Sequence, residues 1–156
     1  MDYLANPQLR VIFDLLLAAL LGGIVGLERE YKRKEAGLRT YSLVSVGAAL
    51  FTIISFQAVN LFSAEKGLVF DPTRIIGQIV LGVGFLGAGL IIFRGSHIEG
   101  LTTAAGLWAV AAIGTTVGIG YYFLAIFATF LSVGILAGLS IVEEKIFGKR
   151  IEEKKE

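Results

Sequence analysis

The sequence predicts an all-α polytopic membrane protein with five transmembrane helices, N-terminus out and C-terminus in. Three observations carry this. Five long apolar stretches alternate with short charged loops; 55% of the 156 residues are hydrophobic; and Lys and Arg concentrate on alternate loops. A bilayer core about 30 Å thick calls for helices of roughly 20 apolar residues, and a soluble chain of this length could not cover so much apolar surface.

The first span is placed at about Leu9 to Leu27. It follows MDYLANPQLR, which has no basic n-region, and no small-residue cleavage site precedes the charged loop, so no cleaved signal peptide is expected. Asp14 lies inside this span, where an ionisable group is costly and faces protein or water. Arg10, one turn earlier, suggests a local ion pair at the outer headgroup level; a cation or proton site is the functional alternative. The loop from Glu28 to Thr40 mixes both signs of charge. That favours specific pairing over a purely electrostatic anchor, with anionic-lipid contacts beside it and Arg94 and Glu99 as candidate partners.

The second span runs from about Tyr41 to Phe62 and the third from about Arg74 to Phe93. Asp71-Pro72 opens the third as an N-cap followed by a proline whose missing N–H costs nothing there. Gly82-Val-Gly84-Phe-Leu-Gly87 matches G-x-G-x-x-G, but it lacks the strand, helix opening and later acid of a dinucleotide site, so it reads as tight helix packing. The fourth span, about Leu101 to Gly118, meets the fifth, about Tyr121 to Val142, at a tight glycine turn around Gly120. One domain therefore covers residues 1–142, and residues 143–156 form a charged cytoplasmic tail that extends the fifth helix or lies on the membrane surface.

The orientation rests on the positive-inside bias. Five basic residues fall in the first loop, Arg94 in the third and five in the tail, against Arg10, Lys66 and Arg74 on the other side. Helices in lipid associate where small residues let backbones approach. The pairs Gly22/Gly26, Gly114/Gly118 and Gly134/Gly138, together with Gly82, mark packing faces, and spans three and four are expected at the centre. Most of this packing is assigned within the chain, with a homo-oligomer, a dimer favoured, as the expected assembly. Trp108 is read as a core residue needing an intramembrane acceptor for its N–H, and His97 as incidental.

Cysteine is absent, which removes thiolate chemistry, cysteine-ligated zinc and disulfides. No Ser/His/Asp set, metal-ligand spacing or phosphate loop is present, so no enzyme is expected. The basic residues belong to juxtamembrane loops, which argues against nucleic-acid binding. No cofactor is implied apart from Mg²⁺ as a candidate: Asp14 and Asp71, both toward the outer side, could hold a hydrated ion loosely as an entry site, because Mg²⁺ keeps several waters and takes one or two carboxylates.

Three stretches together resemble the bacterial MgtC/SapB family: GLEREYKRKEAGLRTYSLVSVGAA from Gly26, DPTRIIGQIVLGVGFLGAG from Asp71 and GLTTAAGLWAVAAIGTTVGIG from Gly100. The match covers nearly the whole chain. It implies a multi-pass protein of the bacterial inner membrane, associated with adaptation to low Mg²⁺ and, in pathogens, with survival inside host cells. The family pattern falls on Glu28, Arg29, Glu30, Gly37, Leu38, Arg39 and Thr40. It continues on Asp71, Arg74, Gln78, Gly84, Phe85, Leu86, Gly87 and Gly89, and then on Gly100, Leu101, Thr102, Thr103 and Trp108. Members are often labelled Mg²⁺ transport proteins, whereas the name-giving branch is better described as regulating other membrane machinery, including ATP synthase. The resemblance thus implies association with and regulation of other membrane proteins, with a transporter or channel for Mg²⁺ or another cation as the alternative. The name-giving branch carries a soluble domain after the membrane part, and this sequence is expected to be a short form without it. Glu99 stands where many relatives place a basic residue.

Overall fold

The computed structural model describes residues 6–62, 71–95 and 97–147, without the side chains of 60–62, 143, 144 and 147. Lys66 and the tail beyond residue 147, including Lys149, Arg150, Lys154 and Lys155, lie outside the described residues. Helix α1 (Pro7–Tyr31) is capped by Asn6, whose side chain accepts from Gln8 N–H at 3.0 Å, with Pro7 in the first turn. Helix α2 is Leu38–Phe62 and α3 is Pro72–Leu90. A two-stranded hairpin, β1 (Ile92–Arg94) and β2 (His97–Glu99), leads to α4 (Leu101–Ile119). Helix α5 (Tyr122–Val133) continues through a π turn, Gly134–Gly138, into α6 (Leu139–Phe147). The five helices long and apolar enough to cross a membrane are Pro7–Tyr31, Leu38–Val59, Pro72–Leu90, Leu101–Ile119 and Tyr122–Val142 among the described residues. The chain is a five-span membrane protein.

The third span ends three residues earlier than the sequence suggests. Ile91 leaves the helix in an extended conformation (φ −84°, ψ 112°) and Ile92, Phe93 and Arg94 pair with Glu99, Ile98 and His97. The β-branched Ile91 and Ile92 prefer extended backbone, and Gly95, at φ 59°, supplies the turn. Gly100, at φ 85°, then passes directly against the Leu90 carbonyl, a position no Cβ could occupy. Phe93 and Ile98 face one side of the hairpin, while Arg94 and Glu99, 3.3 Å apart, make an ion pair across the other. The expected pairing of Arg94 and Glu99 with the first loop is therefore replaced by a pairing within the hairpin.

The core lies where α4 meets α1 and α2. Ala18, Leu21 and Val25 of α1, Tyr41, Ala48 and Ala49 of α2, and Leu107, Val110, Ile113 and Val117 of α4 are buried together. Glycines set the spacing. A methyl group built on Gly22 would fall 2.6 Å from Ser45 Cβ, and one on Gly26 would fall 2.8 Å from Leu38 Cα. Gly114 approaches the Ser45 carbonyl still more closely, and Gly118 meets Ala49 O and Thr52. Gly120, at φ 91°, ends α4 as a left-handed cap and makes the tight turn read from the sequence.

Three expectations are corrected. The fourth span is central, but α3 lies at the edge, packed on α2 and α4 with only Val83 and Gly87 buried among its residues. Gly82, Gly134 and Gly138 meet nothing within 4 Å, so they do not pack helices within this chain; Gly134 and Gly138 instead bound the π turn. Trp108 is 54% exposed on the outer face of α4, with no acceptor at its indole N–H among the described residues. A membrane protein turns large apolar side chains to lipid as readily as to its core, which is why hydrophobicity alone misplaced it.

Candidate functional site

The densest polar constellation lies at the bundle end that carries the α1–α2 loop, here called the basic end. The last turn of α1 carries Glu28 and Arg29, and its C-cap is Lys32. Glu28 pairs with Arg29 Nε and, at 3.1 Å, with Lys32 Nζ. The Arg29 side chain is only 3% exposed, and burying a guanidinium is tolerable only with such a counter-charge. Glu28 Oε1 takes the Lys32 ammonium as an ion partner without a well-directed hydrogen bond. Lys32 Nζ also donates to the Leu136 carbonyl at 3.3 Å, inside the π turn, tying the first loop to the fifth span.

Glu30 caps α2 from eight residues upstream. Its carboxylate accepts the Leu38 N–H at 3.2 Å and lies flat against Gly37, where any side chain would collide with it. Glu35 reaches across to α4: Thr103 Oγ1 donates to Glu35 Oε2 at 2.8 Å. The Thr103 carbonyl in turn accepts the hydroxyl of the fully buried Tyr41 at 3.1 Å. Gly106, one turn along α4, leaves the space that the Tyr41 ring tip fills. The Glu35 carboxyl is held below the usual glutamate range, first by a hydrogen bond from its own backbone and then by the Thr103 hydroxyl.

This constellation joins Glu28, Arg29, Glu30, Gly37 and Thr103 of the motif residues. Of the others, Arg39, Thr40, Arg74, Gln78, Gly84, Phe85, Gly89, Thr102 and Trp108 are exposed, Leu38 joins the constellation only through its backbone N–H to Glu30, and Gly87 of α3 packs on Ala104 of α4. Glu35, Tyr41 and Lys32 were not singled out as site residues by sequence reasoning. Tyr41 carries a usable signal, since a tyrosine at the start of a span needs an acceptor when buried.

At the opposite end, Asp14 is 5% exposed and accepts a hydrogen bond from the Tyr122 hydroxyl of α5 at 2.7 Å. The Tyr122 ring also stands edge-on to Phe13, with centroids 6.0 Å apart. Arg10 interacts with the Tyr122 hydroxyl and approaches Gly120, and no Arg10–Asp14 ion pair within 4.0 Å forms among the described residues. Tyrosine, not arginine, satisfies the acid in the span. Asp71 caps α3 as expected, accepting from Thr73 N–H at 2.9 Å and Thr73 Oγ1 at 2.7 Å, and these bonds, the hydroxyl first, hold its carboxyl below the usual range. Helix α1 packs against α2, α4 and α5, and α3 against α2 and α4. Asp14 and Asp71 thus serve different helices, and no group of three or more His, Cys, Asp or Glu side chains gathers among the described residues. The buried hydroxyls of Thr52, Ser55 and Thr129 are spent on the backbone carbonyls of Ala48, Pro72 and Ala125.

A five-span bundle closed around glycine crossings, with a charged clasp joining its first loop to the fourth helix, defines a small multi-pass membrane protein. The chain belongs to the MgtC family, whose family model matches residues 15–145. It is 44% identical over 126 residues to a protein of Escherichia coli K12 named putative magnesium transporter YhiD, covering 80% of this chain and 58% of that one. It is 39% identical over 146 residues to protein SapB of Bacillus subtilis, covering 92% and 62%. To protein MgtC of Brucella abortus it is 45% identical over 120 residues, covering 77% and 47%. The chain therefore spans roughly half to three-fifths of the length of these relatives. No solved structure matches it.

Proposed function

We propose that this chain works in the bacterial inner membrane, basic end toward the cytoplasm, by associating with other membrane proteins and regulating them in Mg²⁺ homeostasis. The observation that carries the reading is the state of α3. This spanning helix leaves Gly77 and Gly84 exposed, with nothing within 4 Å of a methyl group built on either. Small residues on a lipid-facing helix invite close approach by another helix. That helix belongs to a second copy, to a transporter or to a proton-driven machine such as ATP synthase. The buried hydroxyls of Thr52, Ser55 and Thr129 are bonded to backbone carbonyls, which leaves Ser45 Oγ as the one buried hydroxyl without a partner among the described residues and no ladder of free ligands for a hydrated ion.

A Mg²⁺ transporter is the second reading. Asp14, buried in a span, favours it, as does the word transporter in the name of the E. coli relative. The association reading is tested by Gly77→Leu and Gly84→Leu, whose side chains have room within the chain. A strain depending on this protein should grow poorly at low Mg²⁺ with either substitution, at unchanged protein level. Normal growth with both would remove the reading.

A further inference from the structure

Helices α2 and α3 diverge to leave an apolar groove of about 570 Å³, within the range of small-molecule sites. Leu43, Gly47 and Phe51 line one wall and Ile75, Gly82 and Leu86 the other. Gly47 and Gly82 each meet nothing within 4 Å, and these two missing side chains make the hollow. At one end, a turn beyond Phe51 and Ile75, the bond between Ser55 Oγ and the Pro72 carbonyl at 2.8 Å ties the two helices together and closes the groove. The other end opens toward the basic end, past Leu43 and Leu86.

Length and charge indicate the occupant. At 1.5 Å per residue the groove runs about 12 Å from Leu43 to Phe51 and about 17 Å from Ile75 to Leu86. Half of a hydrocarbon core about 30 Å thick is about 15 Å, the depth of one leaflet. At the open mouth Arg39 stands one turn before Leu43 and Thr40 one turn before Val44. Both are exposed, and Arg39 makes no ion pair or hydrogen bond among the described residues. Apart from Gln78, near the closed end, the groove offers only apolar side chains and glycine.

We propose that the groove holds one acyl chain of an anionic phospholipid from the leaflet at the basic end, with its phosphate on Arg39 and Thr40. Basic residues at the mouth of an interhelical groove bind lipid headgroups, and each adds about 1 kcal/mol near an anionic surface. An uncharged net headgroup brings its own ammonium to Arg39 and gains less.

The test is native mass spectrometry of the purified chain in mild detergent, titrated with phosphatidylglycerol or phosphatidylethanolamine. Wild type should retain one phosphatidylglycerol per chain and prefer it about fivefold, the ratio that about 1 kcal/mol confers. Arg39→Gln should erase the preference, and Gly47→Leu should abolish retention of both lipids. Gly134→Leu, a substitution of equal size at an open position outside the groove, should behave as wild type. If Gly47→Leu does not assemble, Gly82→Leu tests the opposite wall. Unchanged retention in the groove variants, or an unchanged preference in Arg39→Gln, would overturn the proposal. So would Gly82→Cys forming disulfide dimers that phosphatidylglycerol does not suppress, because a second copy would then fill the groove.

Discussion

Thr103 Oγ1 donates to Glu35 Oε2 at 2.8 Å, and this bond fastens the α1–α2 loop to the first turn of α4. Because the Thr103 carbonyl also receives Tyr41, one residue of α4 holds both the loop and the helix that follows it. A net hydrogen bond contributes about 0.5–1.5 kcal/mol. Tyr41→Phe and Thr103→Val should each lower stability by about that much in thermal unfolding of the detergent-solubilised chain. Thr103→Val combined with Glu35→Gln should cost less than the two separately, as expected of partners in one bond.

The same bond predicts a pH dependence. The Glu35 carboxyl is held below the ordinary glutamate range by its own backbone N–H and by Thr103. A carboxyl lowered by folding adds stability that is fully present above its unfolded-state value and is lost as pH falls through the folded-state value. Wild type should exceed Glu35→Gln in melting temperature at neutral pH, and the gap should shrink as pH falls below the ordinary glutamate value of about 4.3. A gap that stays constant down to pH 3 would place the stabilisation elsewhere.

Asp14 and Tyr122 predict an asymmetry. Tyr122→Phe leaves a buried carboxylate without its donor and should cost about 1–3 kcal/mol. Adding Asp14→Leu to it should restore much of the loss, since removing both polar partners is far cheaper than removing one. Unfolding of the two single variants and the double variant in one lipid mixture measures this directly.

The glycines separate into two classes. Gly114 lies against the Ser45 carbonyl at the α2–α4 crossing, whereas Gly134 meets nothing within 4 Å. Gly114→Val should destabilise by about 3 kcal/mol or more, enough to abolish accumulation in the membrane. Gly134→Val should remain within about 0.5 kcal/mol of wild type.

Much of this architecture was legible in the residues. Span number followed from length and apolarity, the α3 start from Asp71-Pro72, the tight turn from Gly120, and two of three glycine pairs from their spacing. The misplaced features share a cause, because in lipid apolar and small residues face outward as freely as inward. Spacing could therefore not say that Gly134 and Trp108 face away from the bundle, that Gly82 faces an open groove, or that α3 sits at the edge. The first strand of the hairpin, Ile92–Arg94, began at the end of an apolar run long enough to be helix, and the second, His97–Glu99, lay in what read as a charged loop. Asp14 advertised its need for a partner, but Tyr122, 108 residues later, is brought to it only by the α1–α5 packing.

The central claim is that the chain acts on other membrane proteins and is not itself a conduit. The most direct measurement is Mg²⁺ entry into proteoliposomes holding the purified, folded chain alone, read by an internal dye, with empty liposomes and the Asp14→Asn/Asp71→Asn double variant as controls. The account predicts influx no greater than in empty liposomes, for wild type and variant alike. Saturable influx through wild type, lost in the double variant, would contradict it and make the protein a transporter entered at those carboxylates.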